Sequence, residues 1–320
     1  MVLGLLLCFI TNLKAQWDAP YSHFWMIKNS YNPSFAGAED KISATVMYKQ
    51  LHSKAEDAPS VVHFSGSMPF QFLGLNHGVG AVLTNSMVGK ERNQFFGAQY
   101  SYNQRIGSSF LNIGVQAGFY DINYDASSII SRIDSTKSAA KQMIANPAEG
   151  KPFDFGAGVS WTSRNYFVGL GVRHINEARY YSTNLYNDSM GEMNGDSLRA
   201  TIPMSYNFMA EYNIKLFNTL FEVEPMLFYE SNTYASSLYG ALQLNWNRKL
   251  SLGGMWRRNA GYSVFAGANL SGITVRYAYD QNQKINGINY GPNHEILIQY
   301  NFDRDLFKPK PQPYRSIRLL

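Results

Sequence analysis

The chain has 320 residues with 28 Lys and Arg against 23 Asp and Glu, and beyond residue 15 it holds no apolar run approaching the ~18 residues of a membrane helix, so a helical membrane protein is excluded. Charged residues are only 16%, well below the roughly 25% of an ordinary soluble domain, aromatics reach 15%, and yet mean hydropathy is −0.27. That balance suits a barrel whose strands are apolar outside and polar inside, so that hydropathy averages out.

Residues 1–15, MVLGLLLCFITNLKA, form an apolar block too short to span a bilayer; it reads as a secretory signal with Gln16 as the mature start. Its removal takes away Cys8, the only cysteine, so the mature chain has no disulfide and no thiolate metal site. It also removes Lys14, leaving 27 positive against 23 negative charges spread along the chain, which gives no case for nucleic acid.

Residues 16–41 precede the first strand and do not alternate, which predicts a periplasmic or plug segment. Within it Asn32-Pro33 followed by Ala36-Gly37 reads as a turn delivering the chain into strand one.

From residue 42 to 302 segments alternate apolar and polar between Gly, Asn, Asp and Ser, the pattern of strands with two unlike faces. The alternation predicts strands near 42–51, 60–69, 76–87, 91–105, 109–121, 153–162, 165–175 and 201–215. Further strands are expected near 217–230, 235–247, 249–257, 261–270, 272–282 and 293–302, about fourteen in all, an even number as bacterial barrels have. The long connections, 52–59, 122–152, 176–200 and 283–292, all follow odd strands. Links after even strands are short, as at Gly107-Ser108, Ser163-Arg164 and Arg248. In an up-and-down meander this puts the long loops at one end and the tight turns at the other, the layout of an outer-membrane barrel with loops outside and turns in the periplasm.

The faces agree. Ile113, Val115, Val168, Leu170, Phe208 and Val223 are expected to face lipid, with Tyr166, Tyr212, Trp246, Trp256, Tyr300 and Phe302 anchoring strand ends at the lipid–water boundary. Lys49, Arg173, Glu211, Glu222, Glu224, Arg257, Arg276 and Asp280 fall on the opposite face and are expected in the lumen. The first 23 residues of the mature chain (16–38) and the loops 122–152 and 176–200 could fill that interior.

The tail, 303–320, carries Pro309, Pro311 and Pro313 at every second position, so it is extended and cannot be a strand. Lys308, Lys310, Arg315 and Arg318 with Phe307, Tyr314 and Ile317 make it either a solvated end or a docking segment for a periplasmic partner.

No catalytic or cofactor motif stands out, and no cofactor or metal is expected. Gly156-Ala157-Gly158 and Gly169-Leu170-Gly171 are strand glycines. Glu222 and Glu224 share a face and could be paired carboxylates, but lumen charges matched on neighbouring strands are the favoured reading. His63, His174 and His294 do not cluster in sequence.

The stretch QWDAPYSHFWMIKNSYNPSFAGAEDK, with Asn32, Pro33, Phe35, Ala36 and Gly37 as its motif, resembles the opening of the PorP/SprF family of type IX secretion system membrane proteins. Phe155-Gly156-Ala157-Gly158-Val159, Tyr166-Phe167-Val168-Gly169-Leu170 with Arg173-His174, and Tyr277-Ala278-Tyr279-Asp280 are similar to family strands. So are Gly291-Pro292-Asn293-His294-Glu295-Ile296, Tyr300 and the basic tail. Strand one departs from the family, with Tyr48-Lys49-Gln50-Leu51 where an Arg and Gln-Trp are usual.

The resemblance implies an all-β, up-and-down antiparallel barrel in the bacterial outer membrane, with both termini periplasmic, and a non-enzymatic role in protein export. Its implied partners are outer-membrane lipid, a secreted surface protein of the adhesin type, and secretion components such as a periplasmic lipoprotein ring or the translocon. The rival from another class is a porin-like channel or lipid porter, which would need an open lumen.

Overall fold

A computed structural model describes residues 20–55, 57–89, 91–124, 151–182, 198–216, 220–258, 260–282 and 290–303. Before the first strand come a 3-10 turn at Phe24–Ile27, one helical turn at Lys28–Tyr31 and a second 3-10 turn at Pro33–Phe35. The strands begin with β1 (Lys41–Gln50), β2 (Ser60–Phe72), β3 (Leu75–Val88), β4 (Glu91–Ile106), β5 (Ser109–Tyr124), β6 (Phe153–Thr162) and β7 (Tyr166–Arg173). A small hairpin follows, β8 (Arg179–Ser182) and β9 (Leu198–Thr201), then β10 (Ser205–Tyr212), β11 (Ile214–Lys215) and β12 (Phe221–Asn232). The series closes with β13 (Ser236–Trp246), β14 (Leu250–Arg257), β15 (Gly261–Leu270), β16 (Ile273–Asn282) and β17 (Asn293–Asp303).

Each wall strand pairs antiparallel with the next wall strand, β7 with β10 across the hairpin, and β1 pairs with β17 to close a 14-stranded barrel in which β10 and β11 form one wall strand interrupted at Asn213. Closure leaves no free sheet edge, the condition for a sheet to sit in lipid. The stretch predicted as one strand over 201–215 is therefore three pieces: Leu198–Thr201 pairs with Arg179–Ser182 in the hairpin, and the wall resumes at Ser205. Thr201-Ile202-Pro203 carries enough apolar, β-branched character to read as strand, but Pro203 offers no backbone donor to a wall ladder.

At one end the connections are tight. Leu73-Gly74, Asn247-Arg248 and Ser271-Gly272 each place two consecutive residues at positive φ, the primed turns whose twist matches a two-residue hairpin. At the other end lie all the long connections. There Val82, Phe95, Tyr120 and Ile122 of the wall pack with Ala178 and Ile202 of the segment carrying the hairpin, so this segment folds inward over the mouth.

Alternate residues face out. Ile113, Val115, Leu170, Leu242 and Trp256 are 52%, 53%, 56%, 55% and 55% exposed on an apolar exterior, while Asn112, Gln116, Asn207 and Gln243 beside or opposite them are buried inside. An apolar exterior around a polar interior inverts a soluble core, and only a lipid environment favours it. No helix among the described residues is long and apolar enough to cross a membrane; this barrel crosses with strands.

Candidate functional site

The lumen is occupied by the chain's own residues 20–38. Aromatic side chains carry this plug on one side: Phe24 stacks on Phe228 at 5.2 Å, Trp25 lies 5.1 Å from Phe265, and Tyr31 sits 4.6 Å from Phe228. On the other side its backbone lies against strand glycines. A Cβ at Gly78 would come 2.0 Å from the Ala36 carbonyl oxygen, at Gly114 2.3 Å from the Ser34 nitrogen, and at Gly158 2.0 Å from Asn32 Oδ1. At Gly169 it would meet the Phe35 ring at 2.8 Å, and at Gly171 the Tyr31 carbonyl at 2.9 Å. These glycines of β3, β5, β6 and β7 form the seat; a side chain there would occupy the plug's place.

The sequence motif is what fits the seat. Asn32 Nδ2 donates to the carbonyls of Leu170 (3.0 Å) and Val159 (3.2 Å), and its Oδ1 accepts from the Ser34 backbone N–H (3.0 Å) and hydroxyl (2.7 Å). Asn32 is thereby the N-cap of the Pro33–Phe35 turn, with Pro33 in the position where its missing N–H costs nothing. Ser101 Oγ donates to Ala36 O at 2.6 Å, and Gly37 takes φ +61°, which turns the chain out towards β1. Asn32-Pro33 and Ala36-Gly37 do direct the chain to strand one, but as a buried turn fixed to the wall. Side chains from further round the barrel reach the plug: Gln99 Nε2 to Asn29 O (2.7 Å), Asn207 Nδ2 to Tyr31 O (2.8 Å) and Ser30 Oγ with His63 Nε2 (2.9 Å). Buried backbone groups outside a ladder are satisfied one by one.

The charged lumen residues divide into three groups. Near the long-loop end, Lys49 Nζ contacts Asp280 at 2.8 Å and Glu295 at 3.1 Å, and Arg257 lies 3.5 Å from Asp280, all of them buried. The plug joins this group, since Glu295 accepts from the backbone N–H of Ser22 (2.7 Å) and His23 (2.8 Å), and Ser22 Oγ donates to Asp280 at 2.7 Å. Across the barrel, also towards the long loops, Arg173 pairs with Glu230 and lies over the Tyr31 ring at 5.2 Å. At the short-turn end Glu222 pairs with Arg248 (2.9 Å), Asn213 donates to both Glu222 (3.0 Å) and Glu224 (2.8 Å), and Arg276 donates to Gln243. The plug contributes Lys28, which binds Glu39 at 2.5 Å; the ammonium holds the Glu39 carboxyl below its ordinary range, ahead of the opposing effect of burial.

Two cavities open beside the plug at this short-turn end. One of about 490 Å³ is lined by Lys28, Glu39, Arg164, Phe167 and Glu211; the other, of about 270 Å³, by Met26, Glu222, Glu224, Arg276 and Asn301. A third, of about 70 Å³, lies towards the long loops among Tyr21, His63, Phe95, Tyr120, Arg173 and His174. Three strands apart or more, His63 and His174 meet only there, which sequence spacing does not show. His174 Nδ1 is 2.7 Å from Asp154. No group of three or more metal-type ligands occurs among the described residues.

In the C-terminal motif the two neighbours separate. Glu295 points into the lumen, whereas His294 lies on the outer side beside Tyr277, 2.7 Å from its hydroxyl, in the aromatic zone. Gly291 takes φ +89°, and its carbonyl accepts from Asn282 Nδ2 at 3.3 Å. The tail residues Phe307, Lys308, Lys310, Tyr314, Arg315 and Arg318 lie outside the described residues.

A closed 14-stranded barrel with an apolar outside, a polar inside and loops gathered at one end is an outer-membrane β-barrel, here one stoppered by its own N-terminal segment. Residues 13–300 match the type IX secretion system membrane protein family PorP/SprF, and the chain belongs to that family. No curated protein sequence matches it significantly.

Among solved structures, a deletion mutant of the TodX monoaromatic hydrocarbon channel is similar over 85% of this chain and 93% of that one, with 10% identity and a TM-score of 0.50. The Pseudomonas putida toluene transporter TodX covers 89% and 95% at 12% identity and TM-score 0.46. The Acinetobacter baumannii outer-membrane protein Omp33 covers 83% and 100% at 9% and 0.45. At such identities the likeness concerns the barrel fold alone.

Proposed function

We propose that this protein is a non-enzymatic component of the type IX secretion system that binds proteins at both faces of the outer membrane. In this reading a secreted surface protein meets the long-loop face, and the periplasmic machinery meets the short-turn face through the basic tail 303–320. The observation that carries it is the plug. A porter needs a clear path, and here residues 20–38 contact β1 to β7 on one side and β10, β12, β13 and β15 to β17 on the other, through hydrogen bonds and ring contacts that a passing solute would have to break. What remains for function is surface at the two mouths, and family membership supplies the secretion context.

The test is deletion of residues 306–320. The wall ends at Asp303, so the truncated barrel should still fold and remain heat-modifiable on gels. It should lose co-purification with the periplasmic machinery and display less of the exported protein. Wild-type yield of that partner with the truncated chain would refute docking through the tail.

A further inference from the structure

We infer that the plug crosses the lumen with its amino end, Pro20 to His23, at the long-loop mouth, while its other end meets β1 at the short turns, where the last wall strand β17 also ends. The contacts at the two ends of the plug give the direction. Ser22 and His23 bind Asp280 and Glu295, close to the loop ends of β16 at Asn282 and β17 at Asn293. Tyr21 lies 5.4 Å from His63, near the loop end of β2. Farther along, Ser34 and Ala36 rest on Gly114 and Gly78, towards the turn ends of β5 and β3. Glu39 then shares a cavity with Ser108 and Arg164, which belong to the short turns themselves. The plug's two ends therefore lie at opposite mouths, the chain dipping to Lys28 beside Glu39, returning to His63 at Ser30 and descending again to Ala36, contrary to the expectation that both termini share the turn side.

The arrangement makes the plug a strap joining the two faces. Its upper end is fastened to Asp280 and Glu295; its lower end passes into Lys41, which pairs with Asp303, the residue from which the tail departs. A partner that displaces the arm at the loop mouth acts on a segment continuous with the root of the tail. The proposed function enters only in naming what lies outside each mouth; the side on which the amino end lies relative to the loops is independent of it.

The experiment places a short epitope between Gln16 and Trp17, with control epitopes in the 122–152 loop and at the Asn247-Arg248 turn, and compares antibody binding on intact and on opened cells. The amino-terminal epitope should behave as the loop epitope does, and the turn epitope should appear only when the outer membrane is opened. An amino-terminal epitope that follows the turn epitope, or that is reached from neither side in the folded protein, overturns the inference. If the two controls exchange sides and the amino-terminal epitope follows the loop, the inference stands and the assignment of faces under the proposed function fails. Should the insertion block folding, Pro20→Cys in a Cys8→Ser background, labelled with a membrane-impermeant maleimide beside Arg248→Cys, gives the same comparison.

Discussion

Lys49 and Glu295 face each other across the β1–β17 seam that closes the barrel, 3.1 Å apart, and Glu295 also takes the backbone N–H groups of Ser22 and His23. One carboxylate thus fastens both the wall and the plug. Lys49→Met leaves Asp280 and Glu295 buried with Arg257, 3.5 Å from Asp280, and the His23 ring, 2.7 Å from Glu295. Stripping one partner from a buried charge group costs about 3–5 kcal/mol. Unfolding in detergent with urea should show a loss of that order for Lys49→Met and a smaller one for Glu295→Gln, which leaves Lys49 on Asp280 and keeps an acceptor for the plug.

Gly158→Ala tests the seat. The new Cβ would lie 2.0 Å from Asn32 Oδ1 and 3.0 Å from the Leu170 carbonyl oxygen, so the plug must shift off the β6–β7 wall. Overpacking of this kind costs about 1–3 kcal/mol. Cleavage within residues 20–38 by added protease should quicken, while Gly240→Ala, where an added Cβ meets nothing within 4 Å, should leave it unchanged.

The lipid and lumen faces separate under a single charge. Leu242, 55% exposed midway along β13, becomes the costly position: Leu242→Arg should destabilise the barrel by about 2–4 kcal/mol in bilayers. Asn245→Arg, which projects into the 270 Å³ cavity three residues further on, should cost much less. Equal losses at the two sites would contradict the assignment of faces.

Much of this was legible beforehand because a barrel wall imposes period two on every strand. Alternation in 110–119 and 166–173 separates Ile113 and Leu170 from Gln116 and Arg173, and the odd-numbered long loops follow from strand counting alone. What the chain order hides is contact across the lumen. Ser22 meets Glu295 from 273 residues away, and Asn32 meets Leu170 from 138. Local periodicity carries no signal for either. Gly78, Gly114, Gly158 and Gly169 did offer one: small residues on the inward face of otherwise well-filled strands mark a close backbone approach. The interruption at Asn213 was missed because Ile214 and Lys215 continue the alternation across it.

A pH effect belongs to the foot of the plug. Lys28 holds the Glu39 carboxyl below the ordinary carboxylate range, so its pairing favours the folded state above the unfolded carboxylate's range and is lost as pH falls through the folded one. Glu39 is 58% exposed, which keeps the contribution small. The stability difference between wild type and Glu39→Gln should be constant from neutral pH to about pH 5.5 and vanish in stronger acid.

Closure of the lumen by the chain's own residues 20–38 is tested most directly by planar-bilayer conductance. The purified wild-type barrel should show no large steady conductance, and the variant lacking residues 20–37 should show one if it folds. A large steady conductance from the wild-type protein would contradict the account and favour a channel.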